Sequence, residues 1–221
     1  MSAVRTAGRT LRVLFRPPAE PVLAGGPVHL DAVVELVAGE PAGLVSSSAR
    51  ATGRSRDYTF EAQGPDGTPL ADPFATAVEV GGVATVTPLT RDAPVAEEVL
   101  LNQFLALESL AAAVPDGGTL ELAVRCARRL ALGGLTDDDA PAATAVVGIR
   151  MRRDDAELAR RYRSAAEAVA GESRHTVDRE RHLAELFSAR NPLAGPALTA
   201  LAGHPDPAVA AAARAALDAL P

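Results

Sequence analysis

The densest set of metal-capable side chains lies in Glu172–Glu185, ESRHTVDRERHLAE. Glu172 and His175 stand at E-x-x-H spacing, His182 follows seven residues on, and Glu185 lies one turn further. Di-iron carboxylate centres use that spacing twice, on separate helices, with additional glutamates. Here there is one copy, and it straddles Gly171 and the start of a new helix. No resident metal and no cofactor is therefore expected. If a metal were held, His175, His182 and Glu185 would be its ligands. Pairing of Glu180, Arg181 and Glu185 along a solvated helix face is the plainer account. The three aspartates of TDDDAPA, Thr136–Ala142, lack the glycine and terminal glutamate of a calcium loop and read as a solvated turn.

Nucleophiles are poorly placed. Ser46–Ser48 lie in GLVSSSARATGRSR, which reads as a loop within Pro41–Arg56, and there is no G-x-S-x-G elbow. Cys126, the one cysteine, falls on the apolar side of an alternating segment, the place of a core filler. His29 stands on the polar side of a strand pattern, and His204 precedes Pro205 in a turn. All 22 basic residues are arginine, which removes Schiff-base, P-loop and kinase-type lysine chemistry. That usage, with abundant Ala, Gly and Pro, is the signature of a GC-rich genome such as an actinobacterium's.

Arginines gather between residues 125 and 163. Arg129, Arg150, Arg152, Arg153 and Arg160 are the candidate binding residues, suited to an acidic protein segment or a phosphate. Arg125, Arg128, Arg161 and Arg163 extend the group. Asp137–Asp139, Asp154, Asp155 and Glu157 are interleaved with it, so ion pairing between two parts of the chain explains the same residues more economically. The net charge of −6 disfavours a nucleic-acid partner.

The elements that must position these groups change character along the chain. TLRVLFR, PVHLDAVVELV, RDYTFEA, TLELAVRCARRL and TAVVGIRMR alternate apolar and polar residues with period two. FATAVEV and VATVTPL flank Gly81-Gly82 as a hairpin pattern, and GPDGTP marks a turn. EEVLLNQFLALESLAAAV suits a strand over Glu98–Phe104 or an amphipathic helix, and a strand entering a loop or short helix is the favoured reading. From Arg153 the period becomes helical: Leu158, Tyr162, Ala165, Ala166 and Val169 form one stripe, opened by Asp154 or Asp155 and closed by Gly171. A second helix covers about Thr176–Ala189. Two short ones follow around GHPDP, with Asp206 as cap and Pro207 at the first helical position.

The expected fold class is α+β: an antiparallel β-sandwich of about seven to eight strands over residues 1–152, then about four helices over 153–221. The segment LRVLFRPPAEPVLAGGPVHLDAVVEL resembles Ig-like sandwiches, without the buried tryptophan and cysteine pair of antibody domains. The pattern L…L…HPDPAV…A…AL…L resembles a HEAT repeat over about Thr176–Leu220, departing at Ala210, where a basic residue usually stands. Repeat arrays need about three units for stability, so this tail is expected to pack on the sandwich, on a second copy or on a partner.

The resemblances imply a non-enzymatic protein–protein interaction or scaffolding role. The partner would be another protein, or the chain itself as a homodimer. The alternative is an enzyme or a small-ligand or metal binder using a cleft between sandwich and helices. Val13–Phe15 is too short for the apolar core of a signal peptide, which needs roughly 7–15 residues. No apolar run of about 18 residues occurs either. A cytoplasmic protein without membrane contact is expected.

Overall fold

Leu11, Val13 and Phe15 all face inward on β2 (Arg9–Arg16), as their alternation requires. The computed structural model describes residues 2–49, 54–75, 82–133, 140–171 and 176–221. β1 (Ser2–Thr6) turns back onto β2 through Ala7 and Gly8, whose φ values of 47° and 72° match a two-residue hairpin loop. β4 (His29–Ala38) pairs antiparallel with β2, setting Val13 opposite Val34, and with β8 (Val95–Leu100), setting Leu30 opposite Val99. The resulting sheet has the order β1-β2-β4-β8.

A second sheet has the order β3-β10-β9-β6. β6 (Tyr58–Ala62) lies antiparallel to β9 (Thr119–Arg129), while β3 (Val22–Leu23) runs parallel to the end of β10 (Ala142–Arg152). That parallel pair departs from the all-antiparallel expectation and makes the sheet mixed. β5 (Ala42–Ala49) and β7 (Gly82–Leu89) form a separate antiparallel ribbon. Pro41–Arg56 was expected to be a loop, and it is strand as far as Ala49. Serine is a weak strand former, but β7 supplies eight paired positions, and such pairing outweighs local propensity. Most of FATAVEV, all of Asp137–Asp139, and Glu172 and His175 lie outside the described residues.

The segment after β8 becomes 3₁₀ turns at Leu101–Gln103 and Leu107–Ala113. Among the described residues, four α-helices and a 3₁₀ turn (Pro192–Ala194) follow: α1 (Asp155–Gly171), α2 (Val177–Phe187), α3 (Gly195–Leu201) and α4 (Pro207–Asp218). The starts of α1, α2 and α4 are capped by side chains. Asp154 accepts from the Glu157 amide at 2.8 Å, Thr176 from Arg179 at 3.1 Å, and Asp206 from Ala208 at 2.9 Å. The fold is α+β, with ten strands in three sheets among the described residues and the helices in the C-terminal region.

The chain divides into two compact units. The strand unit comprises Met1–Ala19, His29–Leu105 and Leu122–Ile149. The helical unit comprises Glu20–Val28, Ala106–Glu121 and Arg150–Pro221. In the latter, Leu158, Tyr162, Ala165, Ala166 and Val169 of α1 form a core with Leu186, Leu198, Leu201 and Ala213. Leu23 joins that core from far upstream, and the Tyr162 hydroxyl donates to the Gly25 carbonyl at 2.9 Å.

Candidate functional site

Alternation along β9 turns Leu122, Val124 and Cys126 inward, and the next residue of that parity is an arginine. Arg128 is fully buried, and strand register sets it opposite Tyr58 of β6. Its Nε donates to Tyr58 Oη at 2.8 Å, and its Nη2 donates to Glu97 Oε1 at 2.8 Å and to Ser46 Oγ at 3.2 Å. The Ser46 hydroxyl donates to Glu97 Oε1 at 2.5 Å, and Tyr58 Oη donates to Glu97 Oε2. The guanidinium carbon also lies 5.2 Å from the centroid of the Tyr58 ring. Strands β5, β6, β8 and β9 each supply one member of this cluster. Nη1 of Arg128 is buried without a hydrogen-bond partner among the described residues.

A lone buried guanidinium would be prohibitive, and the opposite charge with well-formed hydrogen bonds makes this one tolerable. The charges settle accordingly. Burial pushes the Glu97 carboxyl up, but the Arg128 charge and the three donors outweigh it and hold the group below the usual carboxylate range. Burial pushes the Tyr58 hydroxyl far above its ordinary value, so it remains a donor. Arg128 stays charged, because Tyr58 and Glu97 more than offset the burial that opposes it. Asp57 beside them is raised by burial despite accepting from the Ser47 amide at 2.7 Å and the Ser47 hydroxyl at 3.1 Å.

Glu97 is the member that meets the outside, with a quarter of its side chain exposed. It lines a pocket of about 220 Å³ together with Ser46, Ser47, Ser55, Tyr58, Thr85, Glu98, Gln103 and Phe104. Phe15 meets Tyr58 edge-on, Tyr58 stacks on Phe60, and Phe60 meets Phe104 edge-on, so the two rings that line the pocket, Tyr58 and Phe104, are joined through the core. Arg54 lies over the Phe104 ring at 4.4 Å and holds both carboxylate oxygens of Asp72, at 2.9 and 2.8 Å.

The arginines singled out from sequence fall in both units. Arg129 is exposed in the strand unit, where its backbone N–H donates to Asp57 O at 2.8 Å. Arg150 and Arg160 are exposed in the helical unit. Arg152 pairs with Glu157 at 2.5 Å and Asp154 at 3.6 Å, and Arg153 with Asp155 at 3.1 Å and Asp116 at 4.0 Å. Of the alternative metal set, His182 Nδ1 lies 3.8 Å from Glu185 Oε2, and Glu185 is buried and claimed by Arg161 at 3.3 Å and Arg181 at 3.6 Å. Among the described residues no three His, Cys, Asp or Glu side chains come together as a ligand set. Cys126 is a buried free thiol that burial pushes up to about 12.

Sequence reasoning counted Arg128 only as an extension of the arginine group and did not single out Glu97. The signal was parity: Arg128 follows Cys126 by two, and Glu97 stands between the buried Val95 and Val99. Within the helical unit there is also a groove of about 420 Å³ between α1 and α3. Ala159, Ala166, Ala170, Leu193, Ala197, Ala200 and Leu201 line it, with Arg163, Glu167 and His204 as polar members.

No family model matches the chain, and no curated protein matches it. A solved structure of AvmM, which catalyses macrocyclization in alchivemycin A biosynthesis, is similar at a TM-score of 0.29 and 11% identity. The likeness covers 69% of this chain and 96% of that one, and at this score it carries no argument about activity. Among the described residues no helix is long and apolar enough to cross a membrane.

Proposed function

We propose that the protein is a non-enzymatic binding protein and that the pocket lined by Glu97 in the strand unit is its ligand site. One observation carries this reading. A carboxylate is fixed by three donors from three other strands, yet keeps a quarter of its surface open to a pocket. Fixed polar groups at a concave, partly aromatic surface are what a small-molecule site needs. Proton-transfer catalysis needs groups that titrate near the working pH. Here Glu97 is held low and Tyr58 high, while Cys126 is pushed up to about 12, so the cluster supports recognition rather than acid–base or thiolate chemistry.

The test is a fragment screen on the full chain, followed by backbone amide shifts. Fragments are expected to move the amides of Ser46, Thr85 and Gln103, and the movement should vanish in Thr85→Trp, where an exposed residue is enlarged across the pocket. A library that leaves those amides unmoved would overturn the reading.

A second reading is favoured by the α1–α3 groove: a scaffold that takes the apolar face of a partner protein's amphipathic helix. Five alanines permit close approach while burying little area each. Peptides selected from a display library should lose binding in Ala200→Arg and keep it in Thr85→Trp. Peptides indifferent to Ala200→Arg would sink it. The aromatic contacts from Phe15 to Phe104 support an Ig-like sandwich for the strand unit, and α3 and α4 joined through His204–Asp206 support a single HEAT-like pair. The buried free thiol of Cys126 suits a reducing cytosol.

A further inference from the structure

We infer that the ligand of the Glu97 pocket presents a protonated primary amine. This rests on the pocket being a ligand site, as proposed above. An ionised carboxylate offers about four acceptor positions. Ser46 Oγ and Arg128 Nη2 occupy two at Oε1, and Tyr58 Oη occupies one at Oε2. That leaves one position at Oε2, on a side chain that is a quarter exposed. What fills it must be a donor.

The surroundings select a charged donor. Glu98, paired with His29 at 3.0 Å, adds a second carboxylate to the same lining, and none of the described lining residues is basic. Arg128, the countercharge of Glu97, is fully buried and is not among the lining residues, so an incoming anion would meet two carboxylates first. Tyr58 and Phe104 line the pocket as aromatic rings, which gives an arylalkyl amine an apolar surface beside the carboxylate. A volume of about 220 Å³ lies below the usual range for drug-sized ligands, so the occupant is a small amine or the aminoalkyl end of a longer molecule.

The experiment compares matched probes on the full chain: benzylamine, benzyl alcohol and benzoate at neutral pH and low salt, read by calorimetry and by the amides of Ser46, Thr85 and Gln103. A charge-assisted hydrogen bond should favour benzylamine over benzyl alcohol by roughly ten- to a hundredfold. That preference should disappear in Glu97→Gln, with alcohol binding retained. If Glu97→Gln does not fold, Glu98→Gln, at a partly exposed position, should cut the preference several-fold and leave the alcohol unaffected. Equal binding of amine and alcohol, or tighter binding of benzoate, at these amides overturns the amine assignment while the pocket stands. If none of the three probes moves these amides, and the fragment screen leaves them still as well, the ligand-site reading falls and takes the amine with it.

Discussion

Replacing Arg128 by methionine keeps the apolar stem and removes the guanidinium. Lost with it are donors to Tyr58, Ser46 and Glu97, while Glu97 keeps Ser46 and Tyr58 in a half-buried setting. Breaking a buried pair by deleting one partner costs about 3–5 kcal/mol, mostly because the remaining charge is stranded. Arg128→Met with Glu97→Gln removes both charges, and its cost should fall to about 1–2 kcal/mol, the scale of the neutral hydrogen bonds still missing. The stranded charge also predicts a pH signature. Glu97 is held below its unfolded value, so its stabilisation is present above the unfolded pKa and is lost as pH falls through the folded one. Without Arg128 the carboxyl rises, so the penalty should be largest near neutrality and shrink towards pH 4.

The assay is urea unfolding at both pH values. The chain has two tyrosines and no tryptophan, with Tyr58 in one unit and Tyr162 in the other. In a Tyr162→Phe background, emission reports the strand unit alone. A single-mutant loss below about 1 kcal/mol, or a loss independent of pH, would refute the claim that the pair makes the buried guanidinium tolerable. A double mutant whose cost equals the sum of the singles would refute it as well.

Three further outcomes are expected. Gly25→Ala should cost the helical unit about 2–4 kcal/mol in melting experiments, because φ is +76° and a Cβ would fall 2.3 Å from Asn191 Nδ2; Gly67→Ala, with φ +80° and open space, should cost only about 1 kcal/mol. Asp57 is raised by burial, so its folded form loses stability as pH climbs through the raised pKa; Asp57→Asn should therefore gain on the wild type as pH goes from 4 to 7, read by urea midpoints. Alkylation of Cys126 by iodoacetamide at pH 8 should run roughly a thousandfold slower than that of an unfolded thiol, because so little thiolate forms. A native rate close to the unfolded one would contradict its burial.

What was legible from sequence was what period alone determines. The inward sets on β2, β4, β6 and β9, the α1 stripe and the Asp206–Pro207 helix start all follow from local spacing and capping. Pairing partners did not. β7 joins β5 across about forty residues, and nothing in GLVSSSA announces a strand until that partner is in place. The site was hidden for a different reason. Arginine and glutamate are normally outward residues, so Arg128 and Glu97 looked like surface charge. Only the meeting of four strands that are distant in sequence shows that each cancels the other. Of the junction arginines, Arg152 and Arg153 settle on the neighbouring acids Glu157 and Asp155, as the interleaved charges had suggested.

The helical unit is assembled from three pieces of chain, and this has a consequence for synthesis. When a ribosome has released residues as far as Ile149, every part of the strand unit has been made, while Glu20–Val28 and Ala106–Glu121 have no helices to receive them. Leu23 must wait for Leu158, and the Gly25 carbonyl for Tyr162. A nascent chain therefore passes through a stage with two orphaned segments, and a cut at residue 152 would strand both permanently. The helices complete a structure whose first stitches were laid at residue 20.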